Sequence, residues 1–223
     1  MNRTEWVLID TETTGLRTDD WVIEVCIQQM QGWRPVGASK SWLINAPKSV
    51  GRGAFGVHGI SDAMLARQGE DPRKAHAAII DYIDGRPFGA FNMPFDRRML
   101  NADWDRLGIA KKKRPSDALC ALRLARLFVT DTPAYNLEAI AEHLNFKCQP
   151  KHRAKHDVKA TVELLQKHIG PRVGEISFSR LNDLCKLDIY DARRMAAEGP
   201  ANIVRTAYRI PSAGALRSSV SGP

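Results

Sequence analysis

Two carboxylates separated by one residue follow a short apolar run near the start of the chain. The run at residues 6–9 predicts a buried strand, and Asp10 and Glu12 come directly after it in the sequence Asp-Thr-Glu-Thr-Thr-Gly. Because side chains two apart in a strand point to the same face, both carboxylates would project together. Their mutual repulsion is costly without a cation. An exposed strand edge with ordinary surface acids is the alternative, but the apolar run favours a central strand and a metal site.

Two further acids and one histidine lie where either a catalytic or a structural role is possible. Asp96 follows a short apolar run and falls in the first turn of a predicted helix, where an acid also complements the helix dipole. Asp157 lies at the start of the periodic helix predicted at residues 157–169, so helix capping explains it equally well. His152 is on the approach loop to that helix, in a basic segment where solvation is the ordinary outcome. None of the three is decisive alone.

Taken together and in order, these segments resemble the DnaQ-like, DEDDh exonuclease family, which includes the proofreading epsilon subunit of bacterial DNA polymerase III and RNase T. The motifs of that family are Asp-x-Glu, an Asn-x-x-Phe-Asp segment after a short strand, and His-x-x-x-x-Asp. The matching residues are Asp10 and Glu12 in the first motif, Asn92 to Asp96 in the second, and His152 and Asp157 in the third. The resemblance spans residues 6–169, and three motifs in order are far more specific than any one.

The resemblance implies a ribonuclease H-like α/β fold, a mixed sheet of three antiparallel and two parallel strands flanked by helices. It also implies a metal-dependent 3′–5′ exonuclease that uses two ions and releases nucleoside 5′-monophosphates. Asp10 would bridge the two ions. Glu12 and Asp157 would complete the site that holds the attacking water, Asp96 would contribute to the other site, and His152 would be the general base. Oxygen-only ligands suit Mg²⁺ or Mn²⁺.

Contacts to the terminal nucleotides of a nucleic acid with a free 3′ end are also implied. The substrate-binding candidates are Thr13, Gly15, Leu16, His58, Asn92 and Phe95. Leu16 and Phe95 are expected to pack against bases, with core packing as the alternative for both. The family often carries Glu five residues before the histidine, whereas this chain has Gly53, which removes one expected contact to the terminal sugar. Asp117 resembles a further family position, and we interpret it as structural or as a residue that supports the metal ligands.

Three functional hypotheses remain open from the sequence. Single-stranded DNA is the favoured substrate, because the first motif and the His-Gly-Ile segment look like those of proofreading subunits. A 3′–5′ exoribonuclease of the RNase T type has the same chemistry, and the discriminating contact to the 2′-hydroxyl is not visible in a sequence. A non-catalytic accessory domain that binds nucleic acid or a polymerase is the third hypothesis. A DNA polymerase or a second copy of the chain is a further candidate partner; some relatives work as dimers and others as subunits, so the resemblance does not decide between them.

Composition agrees with a nucleic-acid partner. The chain has 223 residues, with 33 Lys and Arg against 25 Asp and Glu, which gives a net charge of +8 and a pI near 9.5. A basic surface fits a polyanion. No apolar run is long enough to span a bilayer, and the first residues lack the apolar core of a signal peptide, so we expect a cytoplasmic protein without membrane contact. The four cysteines are widely spaced, which predicts free thiols rather than a zinc site or disulfides.

Apolar periodicity places these residues on predicted elements. In addition to the run at residues 6–9, strands are predicted at 21–30, 33–44 and 88–91, and a loop is predicted at 45–59. Helices are predicted to start near residues 61, 72 and 94, and three more are predicted at 118–128, 136–144 and 157–169. Short connections between the first three strands predict an antiparallel meander. A Gly-Pro pair at residues 170–171 predicts a boundary. The expected organisation is an exonuclease domain at 1–170, a small helical extension at 171–210 and a flexible tail at 211–223.

Overall fold

Five strands form a mixed sheet in the computed structural model, which describes residues 4–115, 118–149, 152–173 and 178–185. The strands are β1 (Glu5–Thr13), β2 (Val22–Gln31), β3 (Arg34–Leu43), β4 (Phe88–Ala90) and β5 (Ala118–Cys120). In the sheet order β3-β2-β1-β4-β5, the first three strands are an antiparallel meander, β4 is parallel to β1, and β5 is parallel to β4. The predicted fold class is therefore confirmed.

Helices connect and flank these strands. They are α1 (Arg52–His58), α2 (Asp62–Gln68), α3 (Pro72–Ile83), α4 (Met93–Arg106), α5 (Ala121–Phe128), α6 (Leu137–His143), α7 (Ala154–Glu163), α8 (Gly170–Val173) and α9 (Phe178–Leu184). The residues Leu164–Ile169 form a π-helical segment between α7 and α8. Ser61, Asp71 and Asn136 cap α2, α3 and α6 by accepting a hydrogen bond from a backbone amide of the first turn.

The central position of β1 determines where its acids lie. Val7, Leu8 and Ile9 are fully buried between β2 and β4, which confirms the interpretation of this run as a central strand. Helix α7 packs against β1 and β2. Helix α3 contributes Tyr82, whose ring meets that of Trp42 on β3 edge to face at a centroid distance of 5.5 Å. Helices therefore flank the sheet.

Two predicted elements were wrong. The segment 45–59, predicted as a loop because of its glycines, contains α1, which ends at Gly59 with a φ of 70°. The amide of Gly51 donates to Thr14 O at 2.9 Å, so tertiary contact supports a helix that local propensity disfavours. The segment 118–128, predicted as one helix, begins with strand β5 and only then becomes α5. A three-residue buried strand cannot be distinguished from helix by apolar periodicity.

The described part of the predicted C-terminal extension packs on the main core. Leu181 and Cys185 are buried in the same cluster as the sheet, and Arg123 Nη1 donates to Cys185 O at 2.6 Å. The boundary at residue 170 stays a prediction, and the tail at 211–223 and Asp117 lie outside the described residues. No disulfide joins any two of the four cysteines, all of which lie in the described ranges. Within the described part of the chain, no helix has the length and apolarity needed to cross a bilayer.

Candidate active site

Three carboxylates converge where the carboxyl end of β1 meets the first turn of α7. Asp10 and Glu12 are on the strand, and Asp157 is on the helix. One oxygen from each of the three lies within 4.8 Å of the other two. The fold therefore brings the first and third sequence motifs into one acid cluster, which here means Asp10, Glu12 and Asp157.

Asp96 approaches from the other side of β1. It lies in the first turn of α4, as predicted, and is 3% exposed. Thr11, whose side chain alternates to the face opposite Asp10 and Glu12, donates a hydrogen bond from Oγ1 to Asp96 Oδ1 at 2.8 Å. Asp96 is not part of the acid cluster, but its charge raises the pKa of both Asp10 and Glu12. Its share in holding a metal stays a prediction.

Each of these four acids has a raised pKa, and burial is the largest cause for each. The pKa of Asp10 lies well above its ordinary value, and that of Glu12 is raised to about 8. Burial also raises the pKa of Asp96 to about 7, although the hydrogen bond from Thr11 lowers it. The pKa of Asp157 is raised as well, opposed by its contact with His152. Neighbouring carboxylates add to the effect, so the site resists holding four negative charges without a cation.

An unpartnered oxygen shows that the cluster fits a metal ion. Asp157 Oδ2 is engaged by His152, whereas Asp157 Oδ1 is buried and has no hydrogen-bond partner among the described residues. A buried carboxylate oxygen without a partner is expensive. Hard divalent ions such as Mg²⁺ and Mn²⁺ take carboxylate oxygens as ligands. The donor set and the free oxygen thus match a divalent cation bound by Asp10, Glu12 and Asp157.

His152 borders the cluster at a half-exposed position. Its Nδ1 lies 2.9 Å from Asp157 Oδ2, and its Nε2 lies 3.6 Å from Glu138 Oε1. A carboxylate accepts, so the contact with Asp157 places a proton on Nδ1. The ring is thereby oriented with Nδ1 toward the acid cluster and Nε2 toward Glu138.

Glu24 and Arg153 are functional candidates that sequence reasoning missed. Glu24 on β2 pairs in register with Glu12 and is 5% exposed, and it forms an ion pair with Arg153, the residue after His152. The available signal was a single acid inside the apolar run Val-Ile-Glu-Val. A buried acid in such a run needs a partner, but the sequence does not indicate which one.

The loop after β1 presents one predicted substrate contact to solvent. Leu16 is 76% exposed, so the alternative of core packing is wrong for this residue, and its contact with bases stays a prediction. Thr13 is buried, and its Oγ1 donates to Gly15 O at 2.6 Å. A Cβ at Gly15 would lie 2.5 Å from Asp20 Oδ2, so a larger residue there would displace the Asp20 carboxylate. Asp20 in turn accepts from Arg17 N at 2.7 Å, which holds the loop.

His58 is held by the backbone on both sides of its ring. Nδ1 accepts from Ile60 N at 3.0 Å, which leaves Nε2 to donate to Thr13 O at 3.2 Å. Burial lowers the pKa of His58, so the neutral form is favoured. Its contact with a nucleotide stays a prediction. Gly53 is exposed on α1, and no heavy atom lies within 4 Å of a Cβ added there.

The remaining predicted contacts lie at the start of α4. Asn92 is exposed and makes no capping hydrogen bond with its side chain. Phe95 packs partly against the core, and the guanidinium of Arg98 lies 5.4 Å from its ring centroid. Two exposed apolar side chains that the sequence did not single out, Phe55 and Val57, lie on α1. They add apolar surface on a helix whose first turn is tied to the loop after β1 by the Gly51–Thr14 hydrogen bond.

Two basic regions lie apart from the acid cluster. In the run 111–114, Lys113 Nζ lies 4.0 Å from Asp81 Oδ1 and Arg114 Nη2 lies 2.9 Å from Asp105 Oδ1, so neighbouring acids partly neutralise it. A groove of about 900 Å³ runs between β3, α7 and the loop before α7. Lysines line it, but no member of the acid cluster does. This groove is therefore separate from the site.

Comparisons with known proteins agree with this geometry. A family model named RNase_T and described as "Exonuclease" matches residues 7–165. The chain is 27% identical over 166 residues to a DNA polymerase III PolC-type of Oceanobacillus iheyensis, covering 73% of this chain and 11% of that protein. It is 27% identical over 154 residues to the DNA polymerase III subunit epsilon of Haemophilus influenzae, covering 65% of this chain and 58% of that protein. It therefore spans less than two thirds of both relatives.

A likeness to a solved structure supports the same fold. Exonuclease I of E. coli, in complex with a dT13 oligonucleotide, superposes with a TM-score of 0.66 at 17% identity. The match covers 77% of this chain and 42% of that one. The shared architecture is the ribonuclease H-like sheet with flanking helices.

Proposed function

Since the chain belongs to the exonuclease family, in its DEDDh type, we propose that it removes nucleotides from the 3′ end of single-stranded DNA and releases nucleoside 5′-monophosphates. The observation that carries this proposal is the acid cluster with its unpartnered Asp157 oxygen beside the oriented imidazole of His152. Phosphodiester hydrolysis needs a water that loses a proton and a phosphoryl group whose negative charge is neutralised. The acid cluster would hold the cations that neutralise the phosphoryl charge, and His152 beside it would accept the proton of the water.

The proposed mechanism assigns a part to each side chain. Asp10, Glu12 and Asp157 would hold divalent cations, and Asp96 would supply a fourth carboxylate. When bound, two Mg²⁺ or Mn²⁺ ions supply charge neutralisation and acidify the attacking water. His152 would accept the proton of that water as the general base, and its contact with Asp157 holds the ring beside the acid cluster.

The proposed substrate contacts surround this site. Leu16 packs against a terminal base, and the exposed Phe55 and Val57 of α1 extend the apolar surface. DNA is preferred over RNA in this proposal because the relatives include DNA polymerase III proteins. A DNA polymerase is a proposed partner for the same reason. A second copy of the chain is the alternative proposed partner, and a cytoplasmic location is proposed from the sequence.

Nucleotide release tests the activity directly. The protein is incubated with matched DNA and RNA oligonucleotides of one sequence, in Mg²⁺ and separately in EDTA. One set is labelled at the 5′ end to follow shortening, and a parallel set is labelled in the 3′-terminal nucleotide to identify the released product. We expect stepwise shortening of DNA from the 3′ end, mononucleotide products, slower loss of RNA, and no reaction in EDTA. Absence of shortening, or shortening unaffected by EDTA, would refute a metal-dependent exonuclease. Faster loss of RNA would reassign the substrate.

The role of His152 is tested by removing the imidazole. His152→Ala should lower turnover by about 10²- to 10⁴-fold, the usual contribution of a general base. Oligonucleotide binding in EDTA should be retained. His143→Ala, which removes an exposed histidine at the end of α6, is the matched control. Near-normal turnover in His152→Ala would contradict the assignment.

A further inference from the structure

A buried carboxylate one strand away from the acid cluster is not used by the mechanism above. Glu24 lies on β2 directly opposite Glu12, between apolar neighbours, and is 5% exposed. A further carboxylate beside the acid cluster makes the acids of that cluster harder to ionise, and removing the charge of Glu24 from water is itself unfavourable. Its place in the fold therefore requires compensation from specific partners.

Those partners come from the start of α7. Arg153 Nε lies 3.0 Å from Glu24 Oε2 and 3.2 Å from Oε1, and Arg153 Nη2 lies 2.5 Å from Oε1. The backbone amide of Ala154, the first residue of α7, donates to Glu24 Oε2 at 3.0 Å. Both oxygens are thus engaged: the forked guanidinium contacts both, and Oε2 also accepts from a helix amide that lacks an intrahelical partner.

The contacts fix the beginning of the helix that carries the catalytic groups. Arg153 is the N-cap residue of α7 and has no side-chain cap of its own. Its carbonyl accepts from Asp157 N at 3.1 Å, and His152 is its immediate neighbour. Anchoring residues 153 and 154 to β2 therefore determines where the His152 imidazole and the Asp157 carboxylate stand relative to β1.

We propose that Glu24 is a positioning residue: by clamping Arg153 and the Ala154 amide, it sets His152 and Asp157 against Asp10 and Glu12. This inference rests on the proposed function for its effect on turnover. It does not make Glu24 a metal ligand, because both of its oxygens are occupied and it is not in the acid cluster. Displacing a catalytic group by about 1 Å lowers the rate by about 10²-fold.

The fold contains a chemically matched control. Asp103 on α4 is also fully buried, and it too holds one arginine and one backbone amide: Arg106 Nη1 at 2.6 Å and Val22 N at 2.9 Å. Asp103 Oδ2 also lies 3.2 Å from Nε2 of the buried His76 on α3. These contacts tie α4 to α3 and to the start of β2, and none of them is with the His152 loop or α7. Asp103→Asn therefore removes an equivalent buried charge without disturbing the start of α7.

The experiment compares Glu24→Gln with Asp103→Asn at a temperature where both are folded by circular dichroism. We expect Glu24→Gln to lower kcat by about 10²-fold with KM nearly unchanged, and Asp103→Asn to leave both parameters near wild type. Should Glu24→Gln fail to fold, Arg153→Lys, which keeps the charge but loses the fork, replaces it, with a smaller loss of kcat expected. Wild-type kcat in the folded variant, or an equal loss in Asp103→Asn, would overturn the proposal.

A measurement on the metal-free protein separates this inference from the proposed function. Hydrogen exchange of the amides at residues 152–160 needs no turnover. We expect exchange there to become faster in Glu24→Gln, or in its replacement Arg153→Lys, than in Asp103→Asn. If the wild type releases no nucleotides but this exchange rises, the proposed function fails and the clamp stands. If exchange at residues 152–160 is unchanged in the Glu24 or Arg153 variant, the clamp fails whatever the activity.

Discussion

Binding of a divalent ion should release protons, because the acids that would hold it keep protons at neutral pH in the metal-free fold. The pKa of Glu12 is raised to about 8 and that of Asp96 to about 7, and the pKa of Asp10 is well above its ordinary value. At pH 7 a group with a pKa of about 8 is about 90% protonated and one with a pKa of about 7 about half protonated, so these two groups alone hold about 1.4 protons. Carboxylates must be ionised to bind a metal, and those protons leave.

Isothermal titration calorimetry measures this release. Mg²⁺ or Mn²⁺ is titrated into the metal-free protein at pH 7 in several buffers of different ionisation enthalpy, and the slope of the observed heat against that enthalpy gives the number of protons. We expect at least one proton at pH 7, and a smaller number at about pH 9.5, where Glu12 and Asp96 are already ionised in the metal-free protein. The apparent affinity for the metal should rise with pH over the same interval.

The control is Asp103→Asn, which removes a buried carboxyl group outside the site and should leave the proton number unchanged. Tight metal binding at pH 7 with less than about 0.3 protons released would refute the reasoning. It would mean that Glu12 and Asp96 are already ionised and that burial does not raise their pKa in the way described.

Three further perturbations test the stability and the substrate surface. Between about pH 5 and pH 8 the folded metal-free protein binds more protons than the unfolded chain, because the pKa of Glu12 is raised on folding to about 8. The Tm of the protein in EDTA should therefore fall as pH rises over this interval, and Mg²⁺ should restore it. A Tm in EDTA that rises with pH would contradict this expectation. Leu16→Ala should raise KM for an oligonucleotide about tenfold without changing Tm, while the matched exposed variant Val36→Ala should leave KM unchanged; equal effects would argue against a base contact. Gly53→Glu should fold, because the position is open, and should lower KM about fivefold by one added hydrogen bond; a KM equal to that of Gly53→Ala would show that the sugar contact is not restored.

The local chemistry of the site was readable in the sequence because it depends on short spacings. Asp10 and Glu12 share a face because strand side chains alternate, and Asp96 and Asp157 lie in first turns because apolar periodicity locates helix starts. The alternative roles of those two acids were open for the same reason, since an acid in a first turn has a structural explanation of its own. Only their convergence with β1 distinguishes the two roles, and convergence is a property of the fold.

Where the sequence misled, long-range contacts outweighed local preference. Helix α1 forms across Gly53 and Gly56, in a segment whose preceding residue, Gly51, is hydrogen-bonded to Thr14, and helix propensity could not reveal that bond. Strand β5 is three residues long and owes its conformation to pairing with β4. Leu16 was ambiguous between core and surface until the loop after β1 placed it in solvent.

The sequence by itself determined the residue types of the site, their order and the strand and helices that carry them, because these follow from neighbours within about one turn of helix or two strand positions. Only the tertiary structure decided the contacts that tune them. The pairing of Glu24 with Arg153 joins residues 129 positions apart, and the raised pKa of Glu12 depends on burial and on Asp157 and Glu24. The ion pair and the raised pKa both depend on segments that are far apart in the sequence and close in space. These segments come together only when α7 packs against the sheet.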